Sequence, residues 1–281
     1  MKRRTFIQST AMAAVGASLG TSAFAMGGYK NKIGLQLYSL RDIIGKDPKG
    51  VLKSVAEFGY KELETYGYKE GKYFGLAAKE YGDYVKSLGM RNVSGHYGID
   101  SVKNNWEQTC ADAKLIGQEY VVVPYLTEEY YKTLDDVKRT CAIINKSVEV
   151  AKKNGLKMGY HNHAFEFNKV EGQEMYDVMM KEFDTTLSME LDIYWVVNAG
   201  IDPIQLFNKY PGRFEQWHVK DMDKTDRSKN ADIGTGSIDY KSIFAQAKLS
   251  GMAHFYIEQE TYPVSSMESV KASIKGLLKI V

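Results

Sequence analysis

The chain has 281 residues, a hydrophobic fraction of 44% and a formal net charge of +2, with no low-complexity tail and no basic stripe. The apolar fraction is ample for a packed core, and the near-neutral balance lacks the electrostatic footprint of a partner for nucleic acid or anionic lipid. Cys110 and Cys141 fall at apolar positions of predicted helices without metal-ligand spacing, which predicts buried thiols.

In chain order, the first feature is Met1-Lys2-Arg3-Arg4-Thr5-Phe6-Ile7-Gln8, then an uncharged segment from Ser9 to Ala25 ending Ala23-Phe24-Ala25. Paired arginines, a weakly apolar centre and a small-residue exit form the pattern of a twin-arginine export signal. Residues 1–25 are therefore expected to be removed, leaving 26–281 as a periplasmic catalytic domain with no membrane insertion. That export route carries folded proteins, which agrees with a metal site assembled before export.

From Met26 onward, short β-branched or aromatic runs alternate with helix-period segments. Several helices stop at glycine, as at Gly59, Gly89, Gly117, Gly155 and Gly251. Eight strands are predicted: 33–40, 61–65, 91–96, 120–126, 157–163, 186–192, 214–220 and 254–260. Between them, Asp47-Pro48 supplies a helix cap and first-turn proline before the stripe Val51, Leu52, Val55 and Phe58. A later helix aligns Leu134, Val137, Cys141, Ile144, Val148 and Ala151. Eight βα units without a linker predict one α/β domain, a (β/α)8 TIM barrel. An open nucleotide-binding sheet is disfavoured, because no G-x-G-x-x-G follows a strand.

Acids and imidazoles collect at the ends of the later strands: Asp192 on the sixth, His218 on the seventh, Glu258 on the eighth. In a parallel barrel those ends share one face, and a carboxylate–imidazole–carboxylate set suits one Mn²⁺, Mg²⁺, Co²⁺ or Zn²⁺ ion. The fifth-strand stretch Tyr160-His161-Asn162-His163-Ala164-Phe165-Glu166 puts two histidines on one strand face with an acid three residues beyond. Glu260 shares the strand face of Glu258 and would be the ligand if the register slipped by two residues. Glu64 and His96 end the second and third strands and are expected on the same rim, as is Lys220. Tyr66, in a Tyr- and Gly-rich loop, and Trp195 would contact a sugar ring, whereas Trp217 is expected to point into the helix layer. The same loop would equally serve an interface in a homo-oligomer.

These motifs carry a resemblance. Gln36-Leu37-Tyr38-Ser39-Leu40-Arg41, the strand ends at Glu64, His96, Asp192 and Glu258, His218-Val219-Lys220-Asp221 and Gly234-Thr235-Gly236-Ser237-Ile238-Asp239 together resemble the xylose isomerase-like barrels of sugar phosphate isomerases and epimerases. The resemblance implies a divalent metal held by Glu, Asp, His and Glu from the fifth to eighth strands. The first of these would fall at or near His161, so either Glu166 reaches back to the metal or His161 takes its place. The Tyr-His-Asn-His-x-Phe-Glu-Phe run resembles a keto-sugar lyase and hydratase subgroup and favours Glu166.

The expected function is removal of a proton next to a sugar carbonyl, with His163 as base, His161 and Glu258 assisting, and Glu166, Asp192, His218 and Glu258 on the metal. An unphosphorylated keto-sugar or 3-keto-glycoside is the expected substrate, since phosphorylated sugars are scarce outside the cytoplasm and no phosphate-cradling loop is present. A sugar isomerase or epimerase is the nearest alternative. A metal-dependent phosphodiesterase of the apurinic-site type would call for more than the five histidines present, and a non-catalytic sugar-binding protein would tolerate loss of the acids.

Overall fold

The structure is a computed structural model describing residues 28–281, so the expected export signal lies outside the described residues. Eight short parallel strands form one sheet: β1 (Gly34–Gln36), β2 (Glu62–Thr65), β3 (Arg91–Gly95), β4 (Tyr120–Val123), β5 (Lys157–His161), β6 (Ser188–Asp192), β7 (Gln216–Val219) and β8 (His254–Ile257). Hydrogen-bonded neighbours run β3-β2-β1-β8-β7-β6-β5-β4. The remaining seam closes through a bridge between His96 and Val122, with Tyr97 N–H donating to the Val122 carbonyl and Glu119 N–H to that of Val93. The chain folds as the expected (β/α)8 barrel in one domain.

The helices cover the outside as their stripes require. In the helix Pro48–Phe58, Asp47 accepts the Gly50 N–H and Val51, Leu52 and Val55 are buried. In Leu134–Lys153 all six predicted stripe residues are buried beneath a Thr133/Asp136 capping box. Cys110 and Cys141 are free and buried. Trp217 is fully buried and stacks on Phe207 at 5.2 Å and 2°, in the helix layer where the alternation along β7 placed it.

The observed strands stop earlier than predicted, for local reasons. After Gln36 the chain turns into a 3₁₀ segment, Leu37–Leu40, because the Gln36 side chain accepts the Tyr38 N–H. β4 ends at Val123, where Pro124 offers no donor to the ladder. β5 ends at His161 because the Glu166 carboxylate takes the His163 N–H, at 2.8 Å, and folds the segment back.

Beyond β7, Asp221 ties two distant motifs together. Its carboxylate accepts the backbone N–H groups of Met222, Gly234, Gly236 and Ile238 at 2.9 to 3.1 Å. The loop 234–238 therefore wraps around the residue beside Lys220. A Cβ at Gly236 would overlap that carboxylate and the Met222 carbonyl. Gly236→Ala is expected to cost about 1–3 kcal/mol, the usual range for overpacking, read as a lower urea midpoint at unchanged slope.

Candidate metal centre and active site

Side chains at alternate positions of a barrel strand point inward. Glu64, His161, Glu190, Asp192, His218, Lys220 and Glu258 are all buried at the carboxyl ends of their strands, and His96 is nearly so. They line or underlie a cavity of about 440 Å³ whose walls include Tyr38, Tyr66, Tyr125, His163 and Glu260.

The polar groups are arranged in two layers. In the upper one, Asp192, His218 and Glu258 offer ligand atoms within 4.8 Å of one another. His218 Nδ1 lies 2.7 Å from Glu258 Oε2 and 3.8 Å from Asp192 Oδ2, and His161 Nε2 lies 3.7 Å from that same Asp192 oxygen. In the lower layer, the opposite nitrogens meet buried carboxylates: His218 Nε2 is 2.5 Å from Glu64 Oε2 and His161 Nδ1 is 3.1 Å from Glu190 Oε1. With Nε2–H of His218 and Nδ1–H of His161 donating downward, both lone pairs face the upper layer. That is the arrangement by which a carboxylate behind an imidazole fixes its tautomer for a metal.

Asp192 Oδ2 is buried without an aligned hydrogen-bond donor, although Lys220 Nζ approaches it to 2.7 Å. A buried carboxylate oxygen that is ion-paired with Lys220 and also faces two imidazole nitrogens and a second carboxylate fits a hard or borderline divalent cation. Burial and the charge of His218 hold His161 well below its ordinary pKa, which favours the neutral form that can offer a lone pair to a metal. Burial opposes protonation of His218 too, but Glu190, Glu258 and Glu64 outweigh it and raise its pKa. A cation at Nδ1 would displace that proton.

Glu166 stands outside both groups of potential ligand atoms, Asp192/His218/Glu258 above and His96/His161/Glu190/His218 below. Its carboxylate is occupied by the Tyr160 hydroxyl at 2.8 Å and the His163 N–H at 2.8 Å. It shapes the turn after β5, and the fifth-strand side chain nearest Asp192 is His161, 3.7 Å from Oδ2. Burial pushes its carboxyl up to about 8, against the pull of those two donors. A folded-state pKa above the unfolded one contributes stability that is fully present below about 4.5 and is lost as pH rises through about 8. Glu166→Gln is therefore expected to keep the metal and to gain melting temperature relative to the parent as pH rises from 6 to 9, in paired thermal scans.

Other expected residues take distinct places. Lys220 is 1% exposed, with Nζ 2.6 Å from Glu258 Oε2 and also against Glu260. Burial opposes its charge, but Asp192, Glu258 and Glu260 outweigh it and keep the ammonium. Trp195 lies in the turn of helix after β6, where its N–H caps on Asp192, and its ring faces Lys220 at 5.7 Å. His163 also reaches the cavity, between Phe165, Tyr125 and Trp195. Burial and the nearby Lys220 charge depress its pKa to about 3. Glu260 is partly exposed on the rim and bonds Lys220, while Glu258 is the one within reach of His218.

The sequence marks the stretch Glu190-Leu191-Asp192 as a source of metal ligands, but it points to Asp192 and gives Glu190 no role of its own. The signal was available: two residues before Asp192 on the same strand, it had to share its face.

Residues 52–280 match the family described as xylose isomerase-like TIM barrel. The chain belongs to that family. Among solved members, a sugar phosphate isomerase/epimerase from Parabacteroides distasonis is similar at 28% identity and a TM-score of 0.78, covering 89% of this chain and 98% of its own. The IOLI protein with a binding zinc atom shares the fold at 14% identity, with a TM-score of 0.70 over 89% of this chain and 98% of its own. The inosose dehydratase of Clostridium perfringens is 26% identical over 182 residues, 59% of this chain and 56% of that relative. That of Clostridium botulinum is 27% identical over 216 residues, 70% and 66% respectively. The matched segment thus spans little more than half of the Clostridium perfringens relative. These relatives are named for action on sugars, and in this xylose isomerase-like barrel Asp192, His218 and Glu258 form a group able to bind a metal.

Proposed function

We propose that this enzyme uses one divalent cation, held by His161, Asp192, His218 and Glu258, to remove a proton next to the carbonyl of an unphosphorylated keto-sugar or 3-keto-glycoside and expel a leaving group from the adjacent carbon. The observation that carries this reading is the pair of imidazoles turned toward Asp192 and Glu258 by buried carboxylates, at the floor of a sugar-sized cavity. When bound, the cation would polarise the carbonyl and stabilise charge developing on its oxygen.

The chain's own residues would do the rest. Tyr38, Tyr66 and Tyr125 offer aromatic faces to a ring, while Lys220 and Glu260 meet its hydroxyls. Among the described residues Lys220 is the one lysine or arginine lining the cavity, and three carboxylates already hold it, which supports an unphosphorylated substrate. The relatives named inosose dehydratase support an elimination outcome. The Parabacteroides distasonis neighbour supports isomerisation or epimerisation as the second reading.

Incubating metal-loaded protein in deuterated water with a panel of keto-sugars and 3-keto-glycosides tests both. Metal-dependent deuterium uptake with a released aglycone or water supports the lyase, and uptake with an isomeric product the second reading. No uptake with any member would sink both. We also propose periplasmic export through residues 1–25; Arg3→Lys with Arg4→Lys should leave the protein in the cytoplasmic fraction, and unchanged periplasmic recovery would overturn that.

A further inference from the structure

We propose that His96 and Glu190 form a carboxylate–imidazole dyad, and that His96 Nδ1 is the atom that takes the proton from the carbon next to the substrate carbonyl. This rests on the functional reading above and names the base within it.

The geometry is specific. His96 Nε2 lies 2.7 Å from Glu190 Oε1 and 3.3 Å from Glu64 Oε2, and both carboxylates are fully buried. The Glu190 carboxylate, at hydrogen-bond distance, fixes the hydrogen on Nε2 and leaves the lone pair on Nδ1. No group among the described residues donates to or accepts from Nδ1, and the ring lines the cavity. The same ring stacks on His218 at 5.3 Å and 14°, so the free nitrogen lies one ring from the upper-layer ligands. Glu190 Oε1 meets three imidazoles, His218 Nε2 at 3.1 Å among them, and it turns His161 toward Asp192 and His96 toward the substrate.

His163, the base expected from sequence, has the opposite surroundings. It stacks on Phe165 at 15°, meets Tyr125 edge-on, and its Nδ1 is buried without a partner. Neither ring nitrogen has a carboxylate behind it to offset an imidazolium, and the aromatic box suits contact with a sugar face.

In the step assigned to His96, the C–H bond breaks and its electron pair passes into the carbonyl to give the enediolate. The proton forms an N–H bond at Nδ1, and the imidazolium charge is balanced by Glu190 and Glu64. The same N–H then protonates the departing oxygen of the leaving group, or the neighbouring carbon if the outcome is isomerisation. Atoms and electrons balance without an external oxidant or reductant. A buried carboxylate holding an imidazole in the reactive tautomer is a known catalytic arrangement, and its amide replacement fails by reversing the tautomer.

The test uses the full mature chain loaded with Co²⁺, whose visible absorption reports the metal shell. His96→Asn and His96→Gln are expected to keep that spectrum and a KM within about threefold, and to lose on the order of 10²-fold or more in kcat and in substrate deuterium exchange. Glu190→Gln should lose kcat comparably, because the amide can donate to His96 Nε2 and drive the proton to Nδ1; Glu190→Asp should recover part of it. His163→Asn should raise KM and lower kcat by less than tenfold. Long-range nitrogen NMR of the five histidines supplies a readout independent of substrate, with His96 expected protonated at Nε2. Exchange in His96→Asn within tenfold of the parent, or a proton found on Nδ1 of His96 in the parent, overturns the assignment alone. Absence of exchange in the parent with every substrate overturns the functional reading and the assignment together.

Discussion

Asp192→Asn and His218→Ala are each expected to empty the metal centre. Asp192 Oδ2 and His218 Nδ1 are buried, and the cation would draw two of its contacts from them. Replacing a group merely behind a ligand costs about 10–100-fold in affinity, so loss of a ligand itself should exceed that. Metal content after dialysis should fall from about one ion per chain to a small fraction. Stability gives a second reading, since a ligand held at a hundred times its Kd adds about 2.7 kcal/mol. The parent should melt at a higher temperature with Mn²⁺ or Zn²⁺ than with a chelator, and both variants should melt alike in the two conditions. His161→Ala should behave like them and Glu166→Gln like the parent. Full metal retention in Asp192→Asn would contradict the proposed ligand set, and metal loss confined to Glu166→Gln would restore the set expected from sequence.

The second large effect is expected from Lys220→Met. The ammonium sits among Asp192, Glu258 and Glu260 and is almost wholly buried. Methionine keeps an unbranched stem one heavy atom shorter, so packing is largely kept, but the carboxylates lose their compensation. Removing one member of a buried charged cluster typically costs about 3–5 kcal/mol. In the presence of chelator the variant should lose that much by urea unfolding, and with a divalent cation the deficit should shrink, because Asp192 and Glu258 regain a positive partner.

The pH dependence has a definite sign. At present, burial raises Glu258, but Lys220 and His218 outweigh it and hold the carboxyl well below its usual value. Without Lys220 its folded pKa rises, and a raised folded pKa contributes stability that is present at low pH and lost as pH rises. The deficit of the variant should therefore be small near pH 5 and largest near pH 8. An equal deficit at both would mean that the lysine acts through packing rather than charge.

Much of this was legible before any coordinates. The helix stripes under Pro48 and after Thr133, the strand at each glycine-terminated unit and the inward alternation of Asp192, His218 and Glu258 are local patterns with a fixed period, and they held in the structure. Once the strands number eight and run parallel, residues remote in sequence must meet at one rim, so the general place of the site followed as well.

What the sequence by itself determined is the barrel, the rim and the chemical character of the groups on it, because each depends on spacing along one element. Only the tertiary structure decided which groups face one another. Glu166 looked like a ligand by proximity to His163, but the turn that its own carboxylate makes with Tyr160 and the His163 N–H withdraws it from Asp192, and no periodicity reports a side chain bonding its own backbone. Glu190 looked like one acid among many, yet three separate strand ends bring imidazoles to its single Oε1 oxygen: His96 at 2.7 Å, His161 and His218 at 3.1 Å. Such convergence is set by the angles at which β3, β5 and β7 enter the barrel. It involves residues up to 122 positions apart, from His96 to His218, and no local rule reaches that far.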